Sequence, residues 1–213
     1  LEAMTMANDN PGEDTIEIDA GLEIEAVNCL FDGDVAGIDY YAVHATESVI
    51  IEGNGAKLFG LIQWSTTDGQ LTPTPSTRCY GEEDILIATT PGFIRVGQRD
   101  QNNTDITVTV RDLDLKELDS VAYIENYASL ILEDLNVNKI IAHYKGERSA
   151  VIAGEGANFT ARGTTWKEIY NCRRPLNPGA SSIYDGAAFN GGPLKFGDGL
   201  AGNLTLENSF FEF

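Results

Sequence analysis

Four segments in the second half of the chain align with one another without gaps, and this repeat restricts the fold more than any other feature. The segments are VTVRDLDLKEL from Val108, LILEDLNVNKI from Leu130, FTARGTTWKEI from Phe159 and LTLENSFFEF from Leu204. Each has the apolar–polar alternation or short apolar run of a strand. Their starts lie 22, 29 and 45 residues apart. Unequal spacing at a constant strand pattern is typical of a parallel β-solenoid, whose loops vary while its rungs stack.

A second strand pattern precedes three of these segments. It lies at Val121 to Ile124, Val151 to Ala153 and Leu194 to Phe196. The repeat therefore predicts stacked rungs, each with more than one strand, over residues 106 to 213.

The columns of the alignment support this stacking. One column reads Arg111, Glu133, Arg162 and Glu207, and another reads Glu117, Lys139 and Glu168. Equivalent residues on adjacent parallel strands lie about 4.8 Å apart, where like charges repel and opposite charges attract. Alternating signs in two columns are expected from stacked rungs, so we predict two ladders of ion pairs.

A third column predicts where each rung bends. It contains Asp112, Asp134, Gly163 and Asn208, and all four residue types tolerate a left-handed backbone. We expect a sharp turn there between two strands of one rung.

The rest of the chain also favours strands over helices. The best helix candidate, Leu1 to Ala7, stops at the breaker cluster Asn8 to Gly12. Residues 65–80 and 171–193 are rich in turn-forming residues, and we interpret them as loop insertions. The predicted fold class is all-β: a single right-handed parallel β-helix domain over residues 1–213, with a short N-terminal capping helix within residues 1–12 and long loop excursions. We expect it to be a segment of a longer chain or assembly.

The N-terminal sequence resembles the opening motif of secreted right-handed parallel β-helix proteins. That motif reads Leu-Arg-Glu-Ala-Ile, Ala-Asn, Asn-Pro-Gly-Ala-Asp-Thr-Ile, a strand, and Ala-Gly. The matching residues are Leu1-Glu2-Ala3-Met4, Ala7-Asn8, Asn10-Pro11-Gly12-Glu13-Asp14-Thr15-Ile16 and Ala20-Gly21. The Arg of the motif is missing here.

Two further segments extend the resemblance over most of the chain. Glu47 to Ala56 (ESVIIEGNGA) is similar to a second signature of such proteins, and Asn203 to Phe211 is similar to repeats of polymorphic outer-membrane proteins and autotransporter passengers. The resemblance implies an extracellular or surface-displayed protein, most often an adhesin or scaffold. Some proteins with this fold cleave polysaccharides, so the fold does not decide the function.

The charge of the chain argues against two classes of partner. It has 33 Asp and Glu against 14 Lys and Arg, a net charge of −19, which repels phosphate backbones and anionic lipid. No apolar run approaches the roughly 18 residues of a membrane span. We expect neither nucleic-acid binding nor membrane insertion.

Two carboxylate pairs are candidates for acid–base catalysis: Asp112 with Asp114, and Glu133 with Asp134. Asp112 and Asp114 would share a face of a straight strand, but the predicted bend lies between them. The two histidines, His44 and His143, stand alone. We therefore expect no catalytic residues, with a carbohydrate-active β-helix enzyme as the alternative.

Oxygen ligands for calcium are offered by Asp32, Asp34 and Asp39. Their spacing is not that of an EF-hand, so a solvated turn is the favoured interpretation and no cofactor is expected. Trp64 borders a predicted loop and is the aromatic candidate for contact with a glycan or other surface ligand. Trp166 falls in a rung column and is assigned to the core.

Three cysteines, Cys29, Cys79 and Cys172, leave one thiol over if an exported protein forms one disulfide; the pairing stays open. Glycosylation sequons begin at Asn102, Asn158 and Asn203, and would matter in a eukaryotic protein.

The C-terminal residues carry the functional prediction. Phe210, Phe211 and Phe213 fall on a rung that exposes strand edges and apolar side chains. We expect this end to be covered by further rungs or by self-association. The predicted function is a non-catalytic structural or adhesive segment of an exported surface or extracellular-filament protein.

Overall fold

The structure is a computed structural model that describes residues 2–10, 12–26, 41–60, 64–67, 70–73, 92–99, 101–118, 120–140, 150–169, 194–196 and 202–212. One helix and 17 strands occur in these ranges. They are α1 (Glu2–Asp9), β1 (Asp14–Glu17), β2 (Glu23–Glu25), β3 (Tyr41–Ala45), β4 (Val49–Phe59), β5 (Trp64–Thr67), β6 (Gln70–Pro73), β7 (Gly92–Val96), β8 (Thr107–Lys116), β9 (Ala122–Ile124), β10 (Ser129–Glu133), β11 (Asn136–Ile140), β12 (Val151–Ala153), β13 (Asn158–Arg162), β14 (Thr165–Ile169), β15 (Leu194–Phe196), β16 (Leu204–Glu207) and β17 (Phe210–Glu212).

Fifteen of these strands form three stacks of parallel strands. The first stack contains β1, the first half of β4, the first half of β8, β10, β13 and β16. The second contains β2, the second halves of β4 and β8, β11, β14 and β17. The third contains β3, β7, β9, β12 and β15. The prediction that the chain is mostly β is confirmed for the described residues.

The order of strands along the chain explains why neighbours within the three stacks are parallel. The chain runs through the third, first and second stacks in turn, as in β9, β10 and β11, and we call each such circuit a pass. The next pass follows the same order and adds one strand to each stack. The predicted register is confirmed, because Leu130 pairs with both Val108 and Phe159, and Phe159 pairs with Leu204.

Alternation along strands such as β10 directs apolar side chains into the interior. In β10, Leu130 and Leu132 are fully buried while Ile131 between them is partly exposed. The position of Leu132 is occupied in neighbouring passes by Ile51, Val110 and Ala161, all buried. Stacking similar apolar residues removes them from water together, and each buried aliphatic side chain contributes roughly 1.5–3 kcal/mol before entropy is counted.

Helix α1 packs at the N-terminal end of the stacks, against β1 and β3. It buries Met4 and Ala7 and leaves Met6 66% exposed. Asn8 links the last turn of α1 to the end of β3. Its amide donates to the carbonyl oxygen of His44 and accepts from the backbone N–H of Thr46. The predicted capping helix is present, and it ends at Asp9, two residues beyond the predicted end at Ala7.

Two segments differ in detail from simple loops and short strands. The described part of the predicted loop insertion over residues 65–80 contains strands β5 and β6, which pair antiparallel with each other and lie outside the three stacks. The apolar run Val49 to Ile51 begins β4, which extends to Phe59 because a bend at Asn54 and Gly55, both with positive φ, joins two strands of different stacks. The predicted insertion over residues 171–193 lies outside the described residues.

Candidate functional site

The most extended polar feature of the described residues is a line of alternating charges along the first stack, which we call the charge ladder: Glu52, Arg111, Glu133, Arg162 and Glu207. Strand register places each residue beside the next. The nitrogen–oxygen distances are 2.7 Å for Glu52–Arg111, 2.7 Å for Arg111–Glu133, 2.9 Å for Glu133–Arg162 and 3.0 Å for Arg162–Glu207. The four predicted residues are therefore joined in sequence, and Glu52 extends the line.

The electrostatics of the charge ladder centre on Glu133. Its carboxylate accepts hydrogen bonds from Arg111 and from Arg162, and the bond from Arg111 is the main reason that the pKa of Glu133 lies below its ordinary value of 4.5. The hydrogen bond to Glu133 likewise raises the pKa of Arg111 and of Arg162. All three groups are charged at neutral pH, so the arrangement suits binding between strands rather than proton transfer.

The predicted bend column is confirmed. Asp112, Asp134, Gly163 and Asn208 have φ between 48° and 60°, which is the left-handed region. The backbone N–H of Asp134 donates to the carbonyl oxygen of Arg162, and that of Gly163 donates to Glu207, so consecutive bends are also tied together. These residues turn the chain from the first stack into the second.

The residues of the two candidate catalytic pairs take part in the bends, ion pairs and hydrogen bonds between passes. The bend at Asp112 separates it from Asp114, whose Oδ1 accepts a hydrogen bond of 2.7 Å from the Asn136 amide. Glu133 lies between two guanidinium groups, and Asp134 occupies the next bend. In each pair, one residue lies at a left-handed bend and the other on the adjoining strand segment.

The second predicted ladder column has an additional property. Glu117, Lys139 and Glu168 all have positive φ, between 51° and 57°. They lie one residue beyond the paired residues Lys116, Asn138 and Lys167, at a second bend near the end of the second stack. Glu117 pairs with Lys116 at 3.2 Å; that Lys139 is stabilised by both glutamates stays a prediction.

A buried ion pair in the third stack was missed from the sequence. The Nε of Arg95 donates to Glu125 at 2.9 Å, and the two side chains are only 10% and 8% exposed. The Arg95 guanidinium also lies 5.9 Å from the ring centre of Tyr123, within reach of a cation–π interaction. Every residue of β7 is buried, so no alternation marks the position of Arg95, and only the rarity of buried charges could have singled out this pair.

Of the remaining residues singled out in the sequence, some lie within the described part of the chain and others do not. His44 has a structural role, since its Nε2–H donates to the carbonyl oxygen of Gly97 at 2.9 Å. Trp166 is buried, as predicted, and its ring stacks on Phe211 with centroids 5.9 Å apart. The others lie outside the described residues or have undescribed side chains: Asp32, Asp34, Asp39, Cys29, Cys79, Cys172, His143, Trp64 and Phe213. Within the described ranges, no three acidic, His or Cys side chains are grouped to hold a metal ion.

Comparisons with protein families, with curated proteins and with solved structures found no match. No helix in the described part of the chain is long and apolar enough to span a membrane. The site is therefore interpreted from its geometry alone.

Proposed function

We propose that the chain is a right-handed parallel β-helix that serves as a non-catalytic structural or adhesive segment of an exported surface or extracellular-filament protein. The observation that supports this most is the continuity of the charge ladder, which runs through five consecutive passes from Glu52 to Glu207. Ion pairs that bind each pass to the next are expected in a protein whose role depends on a long and rigid structure.

The polar side chains of this face take part in stacking at other positions too. The Asn203 amide donates to Asn158, and the Asn158 amide donates to Ser129, so three successive passes are also linked at the start of the first-stack strands. Ser209 and Thr164 form an equivalent link beside the second stack. These contacts favour a scaffold over an active site, in which polar groups converge on a reactant.

The edge formed by β16 and β17 supports a role in assembly. Among the described strands, β16 pairs only with β13 and β17 only with β14. Leu204 and Phe210 are 38% and 56% exposed, and the Glu207 side chain is 53% exposed. An edge with unpaired backbone groups and exposed apolar side chains is a template for another strand. We propose that further rungs or a second copy of the chain cover it.

The charges limit how a second copy can bind. Glu17 pairs in register with Glu52, so head-to-tail stacking would place Glu207 of one copy beside Glu17 of the next. Helix α1 also packs at that N-terminal end. A twofold arrangement avoids both conflicts, because two copies of the β16 and β17 edge then pair with each other in the isologous manner common in dimers.

Sedimentation of two matched variants tests this assembly. Phe210 and Met6 are both exposed apolar residues, at opposite ends of the stacks. We expect the wild-type chain and Met6→Lys to self-associate with rising concentration, and Phe210→Lys to remain monomeric, because a charge at the edge opposes strand addition. A wild-type chain that stays monomeric at high concentration would contradict self-association. Further rungs would then be the remaining proposal for what covers the edge of β16 and β17.

A separate measurement tests the absence of catalysis. Release of reducing sugars from a panel of neutral polysaccharides is expected to equal that of the heat-denatured chain. Release that is lost in Glu133→Gln, Asp114→Asn or Asp134→Asn would instead favour the carbohydrate-active enzyme.

A further inference from the structure

A cavity of about 250 Å³ lies inside the N-terminal end of the stacks, beneath helix α1. Its lining is almost entirely apolar and comes from α1, β1, β2, β3, β4 and β7. Ile51, Leu58 and Phe93 form its buried floor. The cavity is partly open.

Small and polar residues at this end explain why the interior is hollow here. Ala42 lies level with Phe93 of the next pass, because the flanking pairs are Tyr41 with Gly92 and Val43 with Ile94. Asp14 occupies the position that Val49 fills in the next pass. At both positions, the strand nearer the N-terminal end has a smaller side chain than the strand stacked on it.

We infer that this cavity binds the alkyl chain of a small amphiphile with a neutral or cationic head group. Apolar cavities of this kind exclude water and take up hydrocarbon; by scaling from a cavity of about 150 Å³ that takes benzene, this one accommodates roughly ten carbon atoms. Hydrocarbon in the cavity regains the dispersion contacts that its lining lacks.

The charges around the cavity select the head group. Glu25 is the charged residue of the lining, and Glu17 and Asp19, on either side of Ile18 of the lining, are also acidic and exposed. Lys57, on the strand that pairs with β2, forms an ion pair with Glu23 at 2.9 Å. A carboxylate head group is repelled there, whereas a hydroxyl or ammonium group is accepted.

Titration with three ligands of equal chain length tests the site: 1-octanol, octylammonium and octanoate. Methyl NMR of the folded chain at pH 7 is expected to show saturable shifts at Ile51 and Leu58 with octanol and octylammonium. Octanoate is expected to bind about tenfold more weakly. Equal affinity for octanoate and octylammonium, or shifts confined to methyl groups outside the lining, overturns the proposal.

Variants locate the binding. Ala42→Leu and Ala26→Leu fill the cavity and are expected to lower octanol affinity at least about tenfold, while Met6→Ala on the exposed side of α1 leaves it unchanged. Glu25→Lys is expected to reverse the preference for ammonium over carboxylate, and Asp105→Lys, at an exposed acid outside the lining, is the matched control. If a filling variant fails to fold, the Glu25→Lys titration decides. Unchanged octanol affinity in a folded filling variant, or an unchanged head-group preference in Glu25→Lys, contradicts the inference.

Discussion

At the scale of the residue, the stability of the stacks depends on charged side chains that have specific partners. Glu133 is the clearest case, since two arginines from adjacent passes bind one carboxylate. Its lowered pKa means that folding favours the ionised form. The stabilisation is therefore fully present above the ordinary pKa of 4.5 and is lost as the pH falls through the lower value of the folded state.

Glu133→Gln tests this linkage. We expect a loss of about 1 kcal/mol in the free energy of unfolding at pH 7, because exposed and half-exposed ion pairs contribute modestly. The difference from wild type should shrink steadily below pH 4.5. Urea unfolding between pH 3 and pH 7 measures it, with Glu207→Gln, which has one arginine partner, as the smaller-effect control. A pH-independent difference would show that packing, not charge, is responsible.

The buried pair of Arg95 and Glu125 should respond differently from the exposed ladder. Removing one partner leaves a desolvated charge, which typically costs about 3–5 kcal/mol. We therefore expect Arg95→Met to lower the free energy of unfolding by about 3 kcal/mol, and the double variant Arg95→Met/Glu125→Leu to recover much of that loss. Denaturant unfolding of the four proteins of the cycle measures the coupling. Additive losses would mean that the two charges act independently.

At the scale of the element, the left-handed bends hold the angle between the first and second stacks. Gly163 is the one glycine of its column, at φ 60°, and a Cβ there would meet Oδ1 of Asp134. The other members of the column carry side chains in a conformation that costs roughly 1 kcal/mol for an L-residue.

Two substitutions test the role of the left-handed bends: one adds a side chain at a glycine of the column, and the other replaces a side chain with glycine. Gly163→Ala is expected to destabilise the chain by about 1 kcal/mol, mainly through the positive φ, because the exposed Asp134 side chain can move away from the added Cβ. Asp112→Gly removes a strained Cβ and should change the free energy of unfolding by less than about 0.5 kcal/mol. Thermal unfolding compares the two variants. Equal losses would indicate that the bend column is not under conformational strain.

The elements that were predicted from sequence are those whose side chains alternate. Leu130 and Phe159 could be aligned because, in the later passes, the number of residues from the start of the first-stack strand to the bend is constant. Glu52 was missed because β4 has two more residues at its bend: Glu52 and Ala56 pair with Arg111 and Leu113. The pair of Arg95 and Glu125 could not be predicted, because every residue of β7 is buried and no pattern separates its faces.

At the scale of the whole molecule, a net charge of −19 opposes the compact state while the charge ladder supports it. Salt affects the two terms unequally. The Debye length is about 8 Å at physiological ionic strength, so distant repulsion is screened before contacts of 2.7 Å are weakened. Added NaCl should therefore stabilise the chain overall.

One substitution connects this overall charge to the ladder. Glu17 pairs in register with Glu52, a like-charge neighbour at the N-terminal end of the line. Glu17→Lys would replace that repulsion with attraction, extend the alternation by one position, and stabilise the fold by about 0.5 kcal/mol, a rise in Tm of roughly 1–2 °C. Glu13→Lys makes the same change in net charge at an exposed position before β1. Thermal unfolding at low and high NaCl should show the larger gain for Glu17→Lys, and the excess should persist in salt because it arises from a contact pair. If both variants gain equally at low salt and neither gains at high salt, net charge alone governs stability and the ladder does not extend to the first pass.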